Sequence, residues 1–194
     1  MAAALEFVGA QVTIKETAES FEDVDCVVFP GVGAFHDGMA GVSERKMDGA
    51  LKKFCQDGGH LLGICLGAQL LFATGEEFGE KEGLGIVDGS VKQLKVAQGV
   101  PVPRIGWGAL RMDVPGGPDP IFNGLESGAE VYFNHSFYFA PADRAVAVAE
   151  STYGGFDYCS AYRVKNAYGV QFHPEKSGPV GIMLLRNFVA SSGA

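Results

Sequence analysis

This 194-residue sequence has no excess of basic charge, no long hydrophobic run and no paired-cysteine motif, and each absence excludes a class of function. Fifteen lysines and arginines stand against 23 aspartates and glutamates, a formal net charge of −8. Nucleic acid is thereby excluded as the main partner, because phosphate binding needs a basic footprint. Lys52-Lys53 and Lys92 with Lys95 are local exceptions and read as solvated faces. No run reaches 18 apolar residues, so no membrane-spanning helix is expected. The N-terminus has neither a basic n-region nor a cleavage site, so the expected location is the cytoplasm. The four cysteines (Cys26, Cys55, Cys65 and Cys159) form no Cys-x-x-Cys pair and match no zinc spacing, and no metal or cofactor is expected. Internal repeats, low-complexity tracts and linkers are absent as well.

What is present describes a compact globular chain, read as one domain over residues 1–194 and long enough to bury a full core. Its 47% hydrophobic content, 20% charged content and 28 glycines exclude disorder. Ala2 to Val8 suits a helix stopped by Gly9. Gln11–Ile14 and Asp25–Phe29 read as strands, the second running into Pro30-Gly31-Val32-Gly33. Met47, Ala50, Leu51, Phe54 and Cys55 fall at helical spacing, and Gly58-Gly59 ends that helix. Apolar strands alternating with amphipathic helices predict an α/β fold with a mostly parallel central sheet flanked by helices. After Gly75, short strand-like runs between Gly-, Pro- and Asn-rich turns predict added antiparallel strands. Val180, Met183, Leu184 and Phe188 mark a last helix, with Ser177 as its N-cap and Pro179 in its first turn. Cys26, Cys55 and Cys159 lie in apolar settings and read as small core residues.

Gly63-Ile64-Cys65-Leu66-Gly67 is the stretch with the most chemistry in it. His60–Ile64 reads as a buried strand, and Leu66–Thr74 as a helix that Gly75 stops. Cys65 then sits on the turn between them, in the shape of a Gly-x-Ser-x-Gly nucleophile elbow with sulfur in place of the hydroxyl. A helix N-terminus beneath the sulfur favours the thiolate. The competing reading is an ordinary buried cysteine.

A cysteine nucleophile needs a base, and the base an orienting group. Gln171-Phe172-His173-Pro174-Glu175 supplies both, because His173 and Glu175 lie two apart and share one face of an extended segment. The alternative is a strand exit with solvated side chains. Acyl chemistry also needs donors for an oxyanion. One candidate is the Leu66 N–H, and the other is the Val32–Gly33 region, where flanking glycines let a peptide plane turn toward the sulfur. A plain strand-to-loop turn fits those glycines equally well.

Cys65, His173 and Glu175 in these settings resemble the triad of class I glutamine amidotransferases. Pro30–Phe35, Leu62–Phe72, Gly83-Leu84-Gly85, Ile105-Gly106-Trp107 and Gln171–Gly178 narrow the likeness to the glutaminase subunits of imidazole glycerol phosphate synthase, over nearly the whole chain. The resemblance implies that Cys65 attacks the side-chain amide of glutamine to form a glutamyl thioester, with His173 as base and acid. It places Gln69, His135, Ser136 and Phe137 near the glutamine and Lys176 near a subunit seam. His135 is open to a reading as a second base, though a lone strand histidine is more often structural or substrate-proximal. The implied partner is a (β/α)8-barrel cyclase in a heterodimer, which uses the ammonia in histidine biosynthesis. The family also implies a glutaminase that stays nearly silent until the cyclase binds its ligand, with the Pro-Gly-Val-Gly segment rearranging.

Two departures from the family pattern stand out. Members begin with a strand and an Asp-Tyr-Gly-x-Gly-Asn loop, whereas this chain begins at Met1-Ala2-Ala3-Ala4, inside the helix that follows. A central strand is therefore expected to be missing, with unpaired backbone beside the gap. Gly108 stands where the family usually has Asn. Amidotransferases of anthranilate, guanylate or pyridoxal phosphate synthesis, and a non-catalytic interaction module, are the other readings of the chain.

Overall fold

The computed structural model describes residues 1–17 and 20–193. Helix α1 (Ala2–Phe7) is followed by Gly9 at a φ of 101°. Next come β1 (Cys26–Gly31), α2 (Phe35–Glu44), α3 (Met47–Gln56), β2 (His60–Cys65) and the short α4 (Leu66–Leu70). Then follow β3 (Phe72–Gly75), β4 (Lys81–Glu82), β5 (Val87–Gln93), β6 (Arg104–Ala109), β7 (Glu130–His135) and β8 (Phe137–Pro141). The chain finishes with β9 (Ala147–Tyr153), β10 (Phe156–Val164), β11 (Ala167–Val170) and α5 (Gly178–Ser191).

The main sheet runs β1-β2-β11-β10-β8-β5-β3-β4, with β9 on β10. Its site-bearing part is parallel: β1 pairs with β2, and β2 with β11. Strands β10, β8, β9 and β4 join in antiparallel fashion, as expected for the later half of the chain. Because side chains alternate along a strand, β2 feeds two cores. Leu61 faces one, with α2, α3 and α4, while Leu62 and Ile64 face the other, with α1 and α5. Ala50 and Leu51 of α3 are buried in the first core, with Met47, Phe54 and Cys55 packed against it. Helix packing on both faces is the physical reason the strands of this part read as almost wholly apolar.

Two expectations about elements are corrected. The helix after Cys65 ends at Leu70 rather than Thr74, and Phe72–Gly75 is a strand. The carbonyls of Leu70, Leu71 and Phe72 accept from the backbone N–H groups of Leu84 to Val87, so loop pairing replaces further helical bonds. The Phe72 ring is buried between Phe139 and Tyr162 at centroid distances of 5.5 and 5.1 Å. Gly75 is a close-approach residue rather than a helix cap, since a Cβ there would lie 2.7 Å from the Phe35 ring. Gln11–Ile14, in turn, is not a strand: among the described residues it pairs with nothing, and β1 is the outermost strand of the sheet on that side.

A second, two-stranded sheet of β6 and β7 sits beside the first, with Arg104 opposite His135 and Trp107 opposite Tyr132. The chain crosses from it into the main sheet at Ser136, between β7 and β8. That crossing carries Asn134–Phe137 to the carboxyl end of β2, where the elbow lies.

Candidate active site

Cys65 adopts φ 52° and ψ −112°, a conformation rare outside glycine, at the junction of β2 and α4. The flanking glycines make the turn possible by close backbone approach. A Cβ at Gly63 would stand 2.6 Å from the Ala68 Cα, and one at Gly67 would enter the backbone of β1. Small residues two before and two after the cysteine are thus a steric requirement, which is the geometry of a nucleophile elbow.

His173 lies just past β11 and is almost fully buried. Its Nδ1 and Glu175 Oε1 are 2.9 Å apart, so the carboxylate accepts the Nδ1 proton and Nε2 is the nitrogen that takes up and releases the second proton. Among the described residues Nε2 has no hydrogen-bond partner. Burial disfavours the imidazolium, but the pull of the Cys65 sulfur and the Glu175 carboxylate outweighs it and raises His173 to about 9. Glu175 is held below the usual carboxylate range: burial opposes this, and the bonds from His173 and from its own backbone N–H prevail. Its Oε2 is buried and has no partner among the described residues. Ser177 is the N-cap residue of α5, as the sequence suggests, but its hydroxyl makes no capping bond to the helix and fixes the triad-candidate segment instead. Its hydroxyl donates to the His173 carbonyl at 2.6 Å and accepts from the Tyr132 N–H at 3.0 Å, tying the His173–Glu175 segment to β7.

Two cavities meet at this end of the sheet. One, of about 260 Å³, is lined by Val32, Gly33, Cys65, Leu66, Gln69, Glu77, Pro103 and Asn134–Phe137. That is below the ~300–1,000 Å³ typical of drug-sized ligands and suits a smaller molecule. The second, of about 230 Å³, lies against Pro30, Gly31, Val32, Ile64, His173 and Glu175. Every oxyanion and substrate candidate read from the sequence (Val32, Gly33, Leu66, Gln69, His135, Ser136 and Phe137) therefore lines the cavity that Cys65 opens into. Gly33 has the left-handed φ of 107° that a glycine permits, and Val32 is exposed. Lys176 lies apart from the cavities, 5.8 Å above the Tyr132 ring.

His135 is not free to act as a base. Its Nδ1 donates to the Phe137 carbonyl at 2.7 Å, and its Nε2 accepts from the Tyr158 hydroxyl at 3.2 Å. Burial pushes it down to about 3, with the nearby Arg104 charge adding to the shift, so the ring is neutral. Tyr158 in turn accepts from Arg104, a buried cation whose guanidinium stacks 3.8 Å over Phe133. A Cβ at Gly108 would fall 1.6 Å from that guanidinium, so the glycine at this position is the room the arginine occupies.

Sequence reasoning missed Glu77 and Asn134. Glu77 sits in a turn after β3 with no motif around it, and Oε2 accepts from the Phe35 N–H at 2.7 Å at the start of α2. Asn134 contributes its backbone: the Cys65 thiol donates toward its carbonyl at 3.8 Å. No side-chain pattern can signal a carbonyl.

The family model described as glutamine amidotransferase class-I matches residues 1–191. The imidazole glycerol phosphate synthase subunit HisH of Moorella thermoacetica is 38% identical over 185 residues, covering 95% of this chain and 85% of the relative. The same subunit of Thermosynechococcus vestitus is 41% identical over 187 residues, covering 96% and 88%. A solved glutamine amidotransferase superposes with a TM-score of 0.74 at 20% identity, covering 99% of this chain and 92% of that one. The PurLQS structure from Thermotoga maritima gives 0.73 at 19% identity, covering 97% and 90%. These last two likenesses speak for the fold alone.

Proposed function

Because this chain belongs to the class I glutamine amidotransferases, and among them to the HisH subunits of imidazole glycerol phosphate synthase, we propose that it hydrolyses glutamine with a Cys65–His173–Glu175 triad and supplies the ammonia to histidine biosynthesis. The observation that carries the triad is the 2.9 Å bond between His173 Nδ1 and Glu175, which leaves Nε2 free beside a cysteine on a strained elbow.

In this reading glutamine fills the cavity over Cys65 with its side-chain amide at the sulfur. The thiol proton passes to His173 Nε2, and the sulfur electron pair attacks the amide carbon. Backbone N–H groups of Leu66 and of the Val32–Gly33 segment receive the oxyanion. His173 returns its proton to the leaving nitrogen, ammonia departs and a glutamyl thioester remains. Water, activated by the same ring, then releases glutamate. Glu175 keeps Nδ1 protonated and stabilises the imidazolium. Glu77 presents a negative wall suited to the substrate ammonium, and Gln69, Ser136 and Phe137 supply polar groups around it.

The partner proposed is a (β/α)8-barrel cyclase, docked as a heterodimer on the face of the small sheet, in the cytoplasm. Ile105 and Trp107 are 63% and 56% exposed there, beside Tyr132 and the Lys176 ammonium. An apolar centre with an aromatic and a charged rim is the composition of a docking surface. Glutaminase assays with and without the cyclase and its ligand test the reading. Stimulation by that cyclase, and complete loss in Cys65→Ala with complex formation intact, are the expected results; wild-type turnover in Cys65→Ala refutes the nucleophile.

A further inference from the structure

The parallel register of β2 and β11 places Val170 opposite Ile64, and so sets Gln171 beside Cys65. Gln171 is fully buried, and its backbone N–H is held by the Ser160 carbonyl at 2.9 Å. Its side-chain nitrogen Nε2 lies 3.7 Å from the Cys65 sulfur, a bonding distance for so large an acceptor. Its Oε1 accepts from Gln69 Nε2 at 3.1 Å. The other hydrogen of Gln69 Nε2 goes to the Phe137 carbonyl at 3.3 Å, the same oxygen that His135 Nδ1 holds.

We propose that Gln171 is a fourth catalytic side chain, whose amide N–H stabilises the Cys65 thiolate, and that Gln69 is the positioning residue that fixes its orientation. The proposal rests on Cys65 being the nucleophile. An amide can be turned either way, and the neighbours decide which way it lies. Gln69 is fixed by the Phe137 main-chain carbonyl, which only its amide nitrogen can face, so the second hydrogen of that nitrogen points at Gln171. Gln171 must then offer oxygen to Gln69 and N–H to the sulfur. Turned over, it would oppose two donors and place a lone pair against the thiolate, losing both bonds.

The step it serves is the first one. The proton leaves Sγ for His173 Nε2, the electron pair stays on sulfur, and the Gln171 N–H bonds to that charge. Donation to an ion is about twice as strong as donation to a neutral group. The Gln69-to-Gln171 chain polarises the final donor further in a dry interior. The sulfur is again the leaving group when the thioester is hydrolysed, and the same bond assists it there.

The test is the rate at which iodoacetamide alkylates Cys65, followed on the full chain by peptide-resolved mass spectrometry at pH 7, together with glutaminase kinetics in the presence of cyclase and its ligand. Gln171→Met removes the donor without adding charge. Gln171→Leu likewise removes the donor without adding charge, and serves if Gln171→Met does not fold. Alkylation should slow about tenfold or more, the effect of one bond to a charged group, and kcat should fall while KM for glutamine holds. A folded variant alkylated less than about threefold more slowly than wild type overturns the role of Gln171. Should wild-type protein alkylated at Cys65 still release ammonia, it is the parent reading of the nucleophile that fails.

Discussion

Gly67 sits so close to Phe29 that a Cβ on it would stand 1.8 Å from the Phe29 carbonyl oxygen. Neither partner is the end of a flexible side chain; both are main chain in the centre of the site. Gly67→Ala should therefore force β1 and α4 apart, destabilising the protein by about 1–3 kcal/mol or more and abolishing turnover. Gly49→Ala is the contrasting substitution: it lies exposed in α3 with no atom within 4 Å of the added carbon. It should stabilise by about 0.5–1 kcal/mol, as helical alanine does over glycine. Urea melts of the two variants check both signs.

The bond between His173 and Glu175 makes a sharp statement about tautomers. Glu175→Gln can offer an amide N–H to Nδ1, which would drive the ring proton to Nε2 and remove the lone pair the thiol needs. Glutaminase kcat should fall by about 10²–10⁴, the range of a lost general base, and stability by about 1–3 kcal/mol, the size of a lost bond to a charged group. Steady-state kinetics and a thermal melt separate the two effects.

His173 is raised to about 9 against an ordinary value of 6.5, so its contribution to stability is fully present below pH 6.5 and is lost as pH rises through about 9. The Cys65 sulfur is the leading influence that raises it. In Cys65→Ala the ring should titrate lower and the alkaline loss of stability should shrink. Imidazole NMR titration reads the first, and urea midpoints at pH 6 and above 9 read the second. An unchanged titration would show that the sulfur does not act on the ring.

His135 works in the opposite direction. Its folded value of about 3 means that the unfolded chain binds the extra proton, so stability falls as pH drops from 6.5 toward 3. His135→Leu takes one of two partners from the Phe137 carbonyl, which keeps Gln69, and one of two from the Tyr158 hydroxyl, which keeps Arg104, and should cost about 0.5–1.5 kcal/mol at neutral pH. The same variant should flatten the acid limb of the stability profile. Urea midpoints at pH 7 and 4.5 in both proteins decide it.

Trp107→Ala removes a large side chain that is 56% exposed and touches Tyr132 at its edge. The melting temperature should hardly move, while affinity for the proposed cyclase partner should fall by about 2 kcal/mol, the size of a central aromatic anchor. Calorimetric titration against the barrel subunit measures it.

The elbow was readable because its steric demand is local: two glycines, a strand run and a helix start within a few residues. His173 and Glu175 were readable for the same reason, since spacing by two on an extended segment places them together. The α4 boundary was not, because the competing interaction comes from Leu84–Val87 and from rings far along the chain. Gln11–Ile14 has a strand's composition, but a strand exists only with a neighbour to pair with, and composition carries no information about the neighbour. Gln171 stood in plain view within a motif read for its histidine. Its bond to sulfur depends on the β2–β11 register, which links positions 106 apart.

Arg104 and Gly108 are a single unit written at two positions. Any side chain at 108 would have to push the guanidinium off Phe133 and away from Tyr158. Position 108 cannot enlarge while the guanidinium keeps its place, and a larger residue there would leave the displaced cation stranded. Stability screens that vary one position at a time will score each site as intolerant, whereas a paired library will find combinations that both accept.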